Sequence, residues 1–109
     1  MSDVVMDYIT EKFEEAQANK DKLSSAIKTR KRTVLDFYMQ IGAMKGVISD
    51  LNRRNKSTAR VRTMLMDLHE NRIQHEHTMA HLKLMRQEAH QEVHKLRLTL
   101  ARLKESSEN

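Results

Sequence analysis

The chain has 109 residues, of which 39% are hydrophobic and 32% are charged, and its formal net charge is +5. It contains two glycines, two tyrosines, two phenylalanines and no proline, cysteine or tryptophan. β-Hairpins and glycine-rich phosphate loops need residues that tolerate positive φ, so this composition argues against them and favours an all-α fold. Without cysteine, neither a disulfide scaffold nor a thiolate metal site can form.

The first fifteen residues carry acidic side chains and lack both the basic and the apolar region of a secretory signal. No segment approaches the run of about 18 to 20 apolar residues that a transmembrane helix needs. We therefore expect an intracellular protein, with the cytoplasm favoured over the nucleus.

A heptad pattern runs through the first half of the chain. Every third and fourth residue from Met6 to Leu51 gives fourteen positions, and twelve of them are apolar. This spacing predicts a helix over about 3–53 that packs lengthwise through one apolar stripe, the seam. The seam residues of this half that we expect at a partner interface are Ile9, Phe13, Leu23, Ile27, Val34, Phe37, Ile41, Met44, Ile48 and Leu51.

The seam is interrupted between Asn52 and Thr58, where the heptad phase shifts by three residues within a polar stretch. Asn55 can adopt the left-handed conformation that ends helices, and Ser57 or Thr58 can cap a new helix. We therefore predict a turn at about 54–57 that joins two arms of similar length into a hairpin. One continuous bent helix is the alternative, because the turn contains no glycine or proline.

The second half repeats the pattern, with nine apolar residues among twelve heptad positions from Leu65 to Leu103. We predict a helix over about 58–105 and a frayed polar tail over 106–109, all within a single coiled-coil unit of residues 1–109. The seam residues of this half are Leu65, Leu68, Met79, Leu82, Val93, Leu96, Leu100 and Leu103.

A second apolar stripe, the back stripe, lies at heptad positions roughly opposite the seam. Its residues are Leu35, Met39, Gly42, Gly46, Met66, Ile73, Ala80 and Leu84. Each glycine costs a helix about 1 kcal/mol relative to alanine, and a pair of small residues one turn apart lets another helix approach closely. The back stripe therefore predicts that the hairpin joins other helices in a bundle.

Four heptad positions of the seam carry charged side chains, namely Lys20, Arg30, Arg72 and Arg86. Such residues are costly opposite an identical seam and tolerable beside a partner's carboxylates. This pattern favours a hetero-complex with other helical chains over a homo-oligomer.

Positive charge is concentrated in the middle of the chain, where residues 22–62 carry eleven bases and two acids. Five of these bases surround the predicted turn: Arg53, Arg54, Lys56, Arg60 and Arg62. They are candidate ligands for nucleic acid, an acidic protein tail or an anionic membrane surface. A solvated helix face is the competing interpretation, since no aromatic residue is interleaved for base stacking.

Catalytic and metal-binding motifs have little support. His77 and His81 are four residues apart, as are His90 and His94, but two ligands do not make a metal site. There is no phosphate loop and no supported nucleophile arrangement. We therefore expect no enzyme, metal or cofactor, and we favour a structural or scaffolding subunit over the alternative of a polyanion-binding module.

Overall fold

Two long α-helices account for nearly all of the computed structural model, which describes residues 2–108. Helix α1 spans Ser2–Arg53 and helix α2 spans Ala59–Glu108. No strand occurs among the described residues. The predicted all-α helical hairpin is confirmed, and the alternative of one continuous bent helix is wrong.

The turn between the helices closes α1 with a Schellman motif. Asn55 has a φ of 57°, the left-handed conformation that asparagine tolerates better than most residues. The amide of Lys56 donates to the carbonyl of Leu51 at 2.9 Å, and the amide of Asn55 donates to the carbonyl of Asn52 at 3.1 Å. Asn55 thus takes the place that glycine usually occupies at a helix end.

Helix α2 differs by a few residues from the predicted range. It begins at Ala59 instead of 58, since the carbonyl of Thr58 accepts the first helical hydrogen bond, from the amide of Arg62 at 2.9 Å. It continues to Glu108, so residues 106–108 of the predicted frayed tail 106–109 are helical, and Asn109 lies outside the described residues. The hydroxyl of Ser107 donates to the carbonyl of Lys104 at 3.0 Å, which lets a serine remain in the last turn.

The chain divides into two compact units. The terminal unit combines Met1–Ala26 with Leu82–Asn109, and the turn unit is Ile27–His81. Both helices run uninterrupted across the boundaries between these units.

Each unit has a narrow core of heptad residues. Leu23, Ala89 and Val93 are buried in the terminal unit, and Val93 is only 1% exposed. Ile27, Val34 and Ile41 are buried in the turn unit. The remaining seam residues are half-buried, as expected when only two helices pack together.

Candidate interaction surfaces

Two polar seam residues of the turn unit bind each other across the hairpin. The Nη1 atom of Arg30 lies 2.6 Å from Nδ1 of His75. A guanidinium can only donate, so His75 must accept through an unprotonated Nδ1. The ring of Phe37 covers His75 with a centroid separation of 5.3 Å. This contact gives each polar group one partner inside the chain.

A second polar cluster joins Tyr38 of α1 to Arg72 and Glu76 of α2. The hydroxyl of Tyr38 donates to Glu76 Oε1 at 2.8 Å, and Arg72 Nη1 donates to Glu76 Oε2 at 2.8 Å. Arg72 also donates to the Tyr38 hydroxyl at 3.2 Å and lies over its ring, 5.1 Å from the centroid. The three side chains therefore bind one another and connect the two helices.

This cluster perturbs the ionisation of Glu76. The hydrogen bond from Tyr38 is the main cause that lowers the pKa of the carboxyl group. Partial desolvation acts in the opposite direction, and the positive charge of Arg72 lowers the pKa further. The carboxylate is thus held in its charged form beside Arg72.

The charged seam positions predicted a hetero-complex, and these contacts within the chain weaken that argument. Arg30 and Arg72 were expected to need a partner's carboxylates, but His75 and Glu76 of the same chain supply their acceptors. Lys20 and Arg86 are half-buried and form no ion pair in the part of the chain that the structure describes. Two of the four charged seam positions therefore have acceptors within the hairpin, although the buried Nε atom of Arg72 has no hydrogen-bond partner.

The α1 part of the back stripe is open to solvent. Leu35 is 54% exposed and Met39 is 73% exposed, and Gly42 and Gly46 continue the same face. A Cβ atom added to either glycine would meet nothing within 4 Å. Close packing inside the chain therefore does not explain why these positions are glycine.

The α2 part of the back stripe is exposed as well. Within the turn unit it consists of Met66, which is 71% exposed, together with Ile73 and Ala80. Leu84 is also exposed, but it belongs to the terminal unit. Each helix of the turn unit thus presents its own apolar surface.

All five bases around the turn are exposed, and we call them the basic turn: Arg53, Arg54, Lys56, Arg60 and Arg62. Arg53 and Arg54 both contact Asp50 at 3.4 Å. Arg62 Nε donates to the hydroxyl of Thr58 at 2.9 Å. Lys56 and Arg60 form no ion pair among residues 2–108, so their charges are available to an external anion.

Within residues 2–108, no group of three histidine, aspartate or glutamate side chains is placed to hold a metal ion. Neither α1 nor α2 contains a stretch apolar and long enough to cross a membrane.

Comparison with known proteins adds no family assignment. The chain matches no protein-family model, and no curated protein or solved structure shows significant similarity to it. Function is therefore inferred from the surfaces described above.

Proposed function

We propose that this protein is a non-enzymatic structural subunit that assembles with other helical chains, as part of a hetero-oligomeric scaffold. The observation that supports this proposal is the exposed back stripe on a hairpin whose seam is already paired. The seam holds the two helices of one chain together, and the back stripe provides apolar surface for further helices.

The exposed apolar residues have a physical cost that assembly would remove. Fully burying a leucine or methionine side chain is worth about 1.5–3 kcal/mol relative to leaving it in water. Leu35, Met39 and Met66 are each more than half exposed in the turn unit. Exposed apolar residues grouped on a helix face in this way are typical of protein–protein contacts.

The proposal is tested by the size of the species that contains the full chain in cells. We expect the tagged chain to elute from a lysate well above its own 12.8 kDa, and Met39→Glu or Met66→Glu to reduce that size. Gln74→Glu is the control, since Gln74 is exposed in α2 and lies outside the back stripe. A wild-type chain that elutes alone, or stripe variants with unchanged elution, would contradict the proposal.

The basic turn supports a second candidate function, the binding of a polyanion. Residues 50–62 contain five exposed bases and one acid, Asp50. Nucleic acid, an acidic protein tail and an anionic membrane surface share the charge that such a cluster attracts.

Salt dependence tests this second function. We expect an RNA or DNA oligonucleotide to bind the purified chain, with an affinity that falls steeply as salt increases. Replacing the five bases of the basic turn with glutamine should weaken binding and lower the slope by roughly one for each lost phosphate contact. Binding that does not change with salt would exclude the basic turn as the site.

A further inference from the structure

We propose that the α1 back stripe of the turn unit is the docking surface for a second copy of this chain, with the two α1 helices parallel and in register. This inference rests on the proposed function and names the partner of one of its surfaces. It leaves the α2 back stripe free for other chains.

The spacing of the α1 back stripe is that of a short two-stranded coiled coil. Leu35, Met39, Gly42, Gly46 and Ser49 alternate by four and three residues and occupy successive core positions of a heptad. The next core positions in either direction are Arg32 and Arg53, whose like charges would face each other in a symmetric pair. The contact is therefore limited to about five layers, between 35 and 49.

The charges beside the stripe specify the partner and its direction. In a parallel, in-register pair, a residue that flanks one side of the core, as Lys31 and Lys45 do, faces the residue five positions later on the other helix. Lys31 then faces Asp36 of the second copy, and Lys45 faces Asp50 of the second copy. The two-fold symmetry repeats both contacts, which gives four pairs of opposite charge.

Partners within the same helix do not explain this arrangement. Residues five positions apart do not meet on one helix, where only the third and fourth neighbours do. Lys31, Asp36 and Lys45 form no ion pair in the part of the chain that the structure describes. Asp50 contacts Arg53 and Arg54 at the surface, where such pairs are weak and can exchange.

An antiparallel pair fits these charges poorly. In that orientation, flanking positions of the same kind lie on the same side of the interface. The side that carries Asp36 and Asp50 would face the same side of the second copy. The side that carries Lys31 and Lys45 would do likewise. Like charges on each side favour the parallel orientation.

The two glycines fit a close approach of the second helix. Gly42 and Gly46 lie in the centre of the five layers, and the space beside them is empty. Without side chains at these layers, the two helix backbones can come nearer than in an ordinary leucine pair. A second copy thereby gives these glycines a role that the single hairpin does not.

The first test is the mass of the purified full chain, measured by sedimentation equilibrium. The salt concentration is about 0.15 M, because the repulsion between two basic turns is then screened over about 8 Å. We expect a dimer with twice the mass of the 12.8 kDa chain. Met39→Glu should give a helical monomer. Met66→Glu is the matched control, because Met66 is as exposed on α2 and should leave the dimer intact.

The second test determines orientation by cross-linking. The chain has no cysteine, so Leu35→Cys and Ser49→Cys each introduce a single thiol at equivalent core positions, about 21 Å apart along the helix. A parallel pair should form a disulfide dimer with each variant separately. An antiparallel pair can bring only one of the two positions close to its own copy, and that result would overturn the proposed geometry.

A charge exchange tests the flanking pairs. Lys31→Glu and Asp36→Lys should each weaken the dimer, and the double variant should restore it. Equal weakening in the single and double variants would contradict the pairing of Lys31 with Asp36 of the second copy.

Failure of this inference can be told apart from failure of the proposed function. A purified wild-type chain that stays monomeric overturns the self-pairing, and a dimer that survives Met39→Glu does the same. If the chain nevertheless elutes from lysates in a large species that Met39→Glu reduces, assembly with other chains stands. A chain that is monomeric both when purified and in lysates overturns both proposals.

Discussion

Both faces of α1 in the turn unit carry apolar residues, but one face is buried against α2 and the other is exposed to solvent. Ile41, in the seam, is 4% exposed, whereas Met39, two residues earlier in the back stripe, is 73% exposed. The seam is covered by α2 of the same chain and accounts for the fold. The back stripe contributes little to that fold because its side chains are open to solvent, and its contact with other chains is our proposal.

The largest effect is expected from a charge placed in the seam. Ile41→Glu should destabilise the hairpin by about 3–5 kcal/mol, because a carboxylate would be buried without a partner. Circular dichroism during urea unfolding measures this loss. Met39→Glu on the opposite face is the control and should retain the helicity of the wild type. Similar losses in both variants would mean that the two faces do not differ as described.

A smaller effect is expected at the polar pair within the seam. His75→Leu should cost about 1–3 kcal/mol, because the half-buried guanidinium of Arg30 loses its acceptor. The double variant Arg30→Leu with His75→Leu should be close to the wild type in urea unfolding, since no polar group is then left unpaired. A double variant as unstable as His75→Leu would show that the pair does not act as a unit.

The back stripe should respond to Gly42→Ala in two opposite ways. In dilute monomer, the change should stabilise the hairpin by about 1 kcal/mol, since alanine favours the helix and its Cβ meets only open space. At higher concentration, it should weaken the proposed dimer, because the added methyl group would separate the two backbones. Thermal unfolding and sedimentation equilibrium measure these two effects. An alanine variant with unchanged dimerisation would argue against close contact at Gly42.

The smallest effect concerns the Tyr38 and Glu76 pair at the edge of the seam. Because the pKa of Glu76 is lowered in the folded chain, its contribution to stability is present above the ordinary glutamate pKa of about 4.3 and is lost as the pH falls through the lowered value. Tyr38→Phe removes the donor and keeps the ring. An NMR titration should then show the Glu76 pKa shifted back toward its ordinary value, and an unchanged titration would contradict the assigned cause.

The helices and the turn could be predicted from the sequence because their signals are local. Heptad spacing marks the seam, and Asn55 within a polar stretch marks the end of α1. The polar clusters could not be predicted, because Tyr38 and Glu76 are 38 residues apart and the register of the two helices decides whether they meet. Arg30 is a charged seam position in the heptad pattern, but its pairing with His75 also depends on that register. The exposure of the back stripe follows from the seam, whereas its use as an interface remains a prediction.

The turn also has a consequence for the order of folding. Contacts in the turn unit join residues within 27–81. Contacts in the terminal unit join residues before 27 to residues after 81, so they close a loop that contains the whole turn unit. Loop-closure entropy increases with loop length, by about 0.6 kcal/mol for each doubling, so the pairs nearest Asn55 are the least costly to form. Helix pairing should therefore begin at the turn and proceed toward the chain ends. Pulse-labelled hydrogen exchange during refolding should protect amides near Leu51 and Leu65 before those near Phe13 and Leu96.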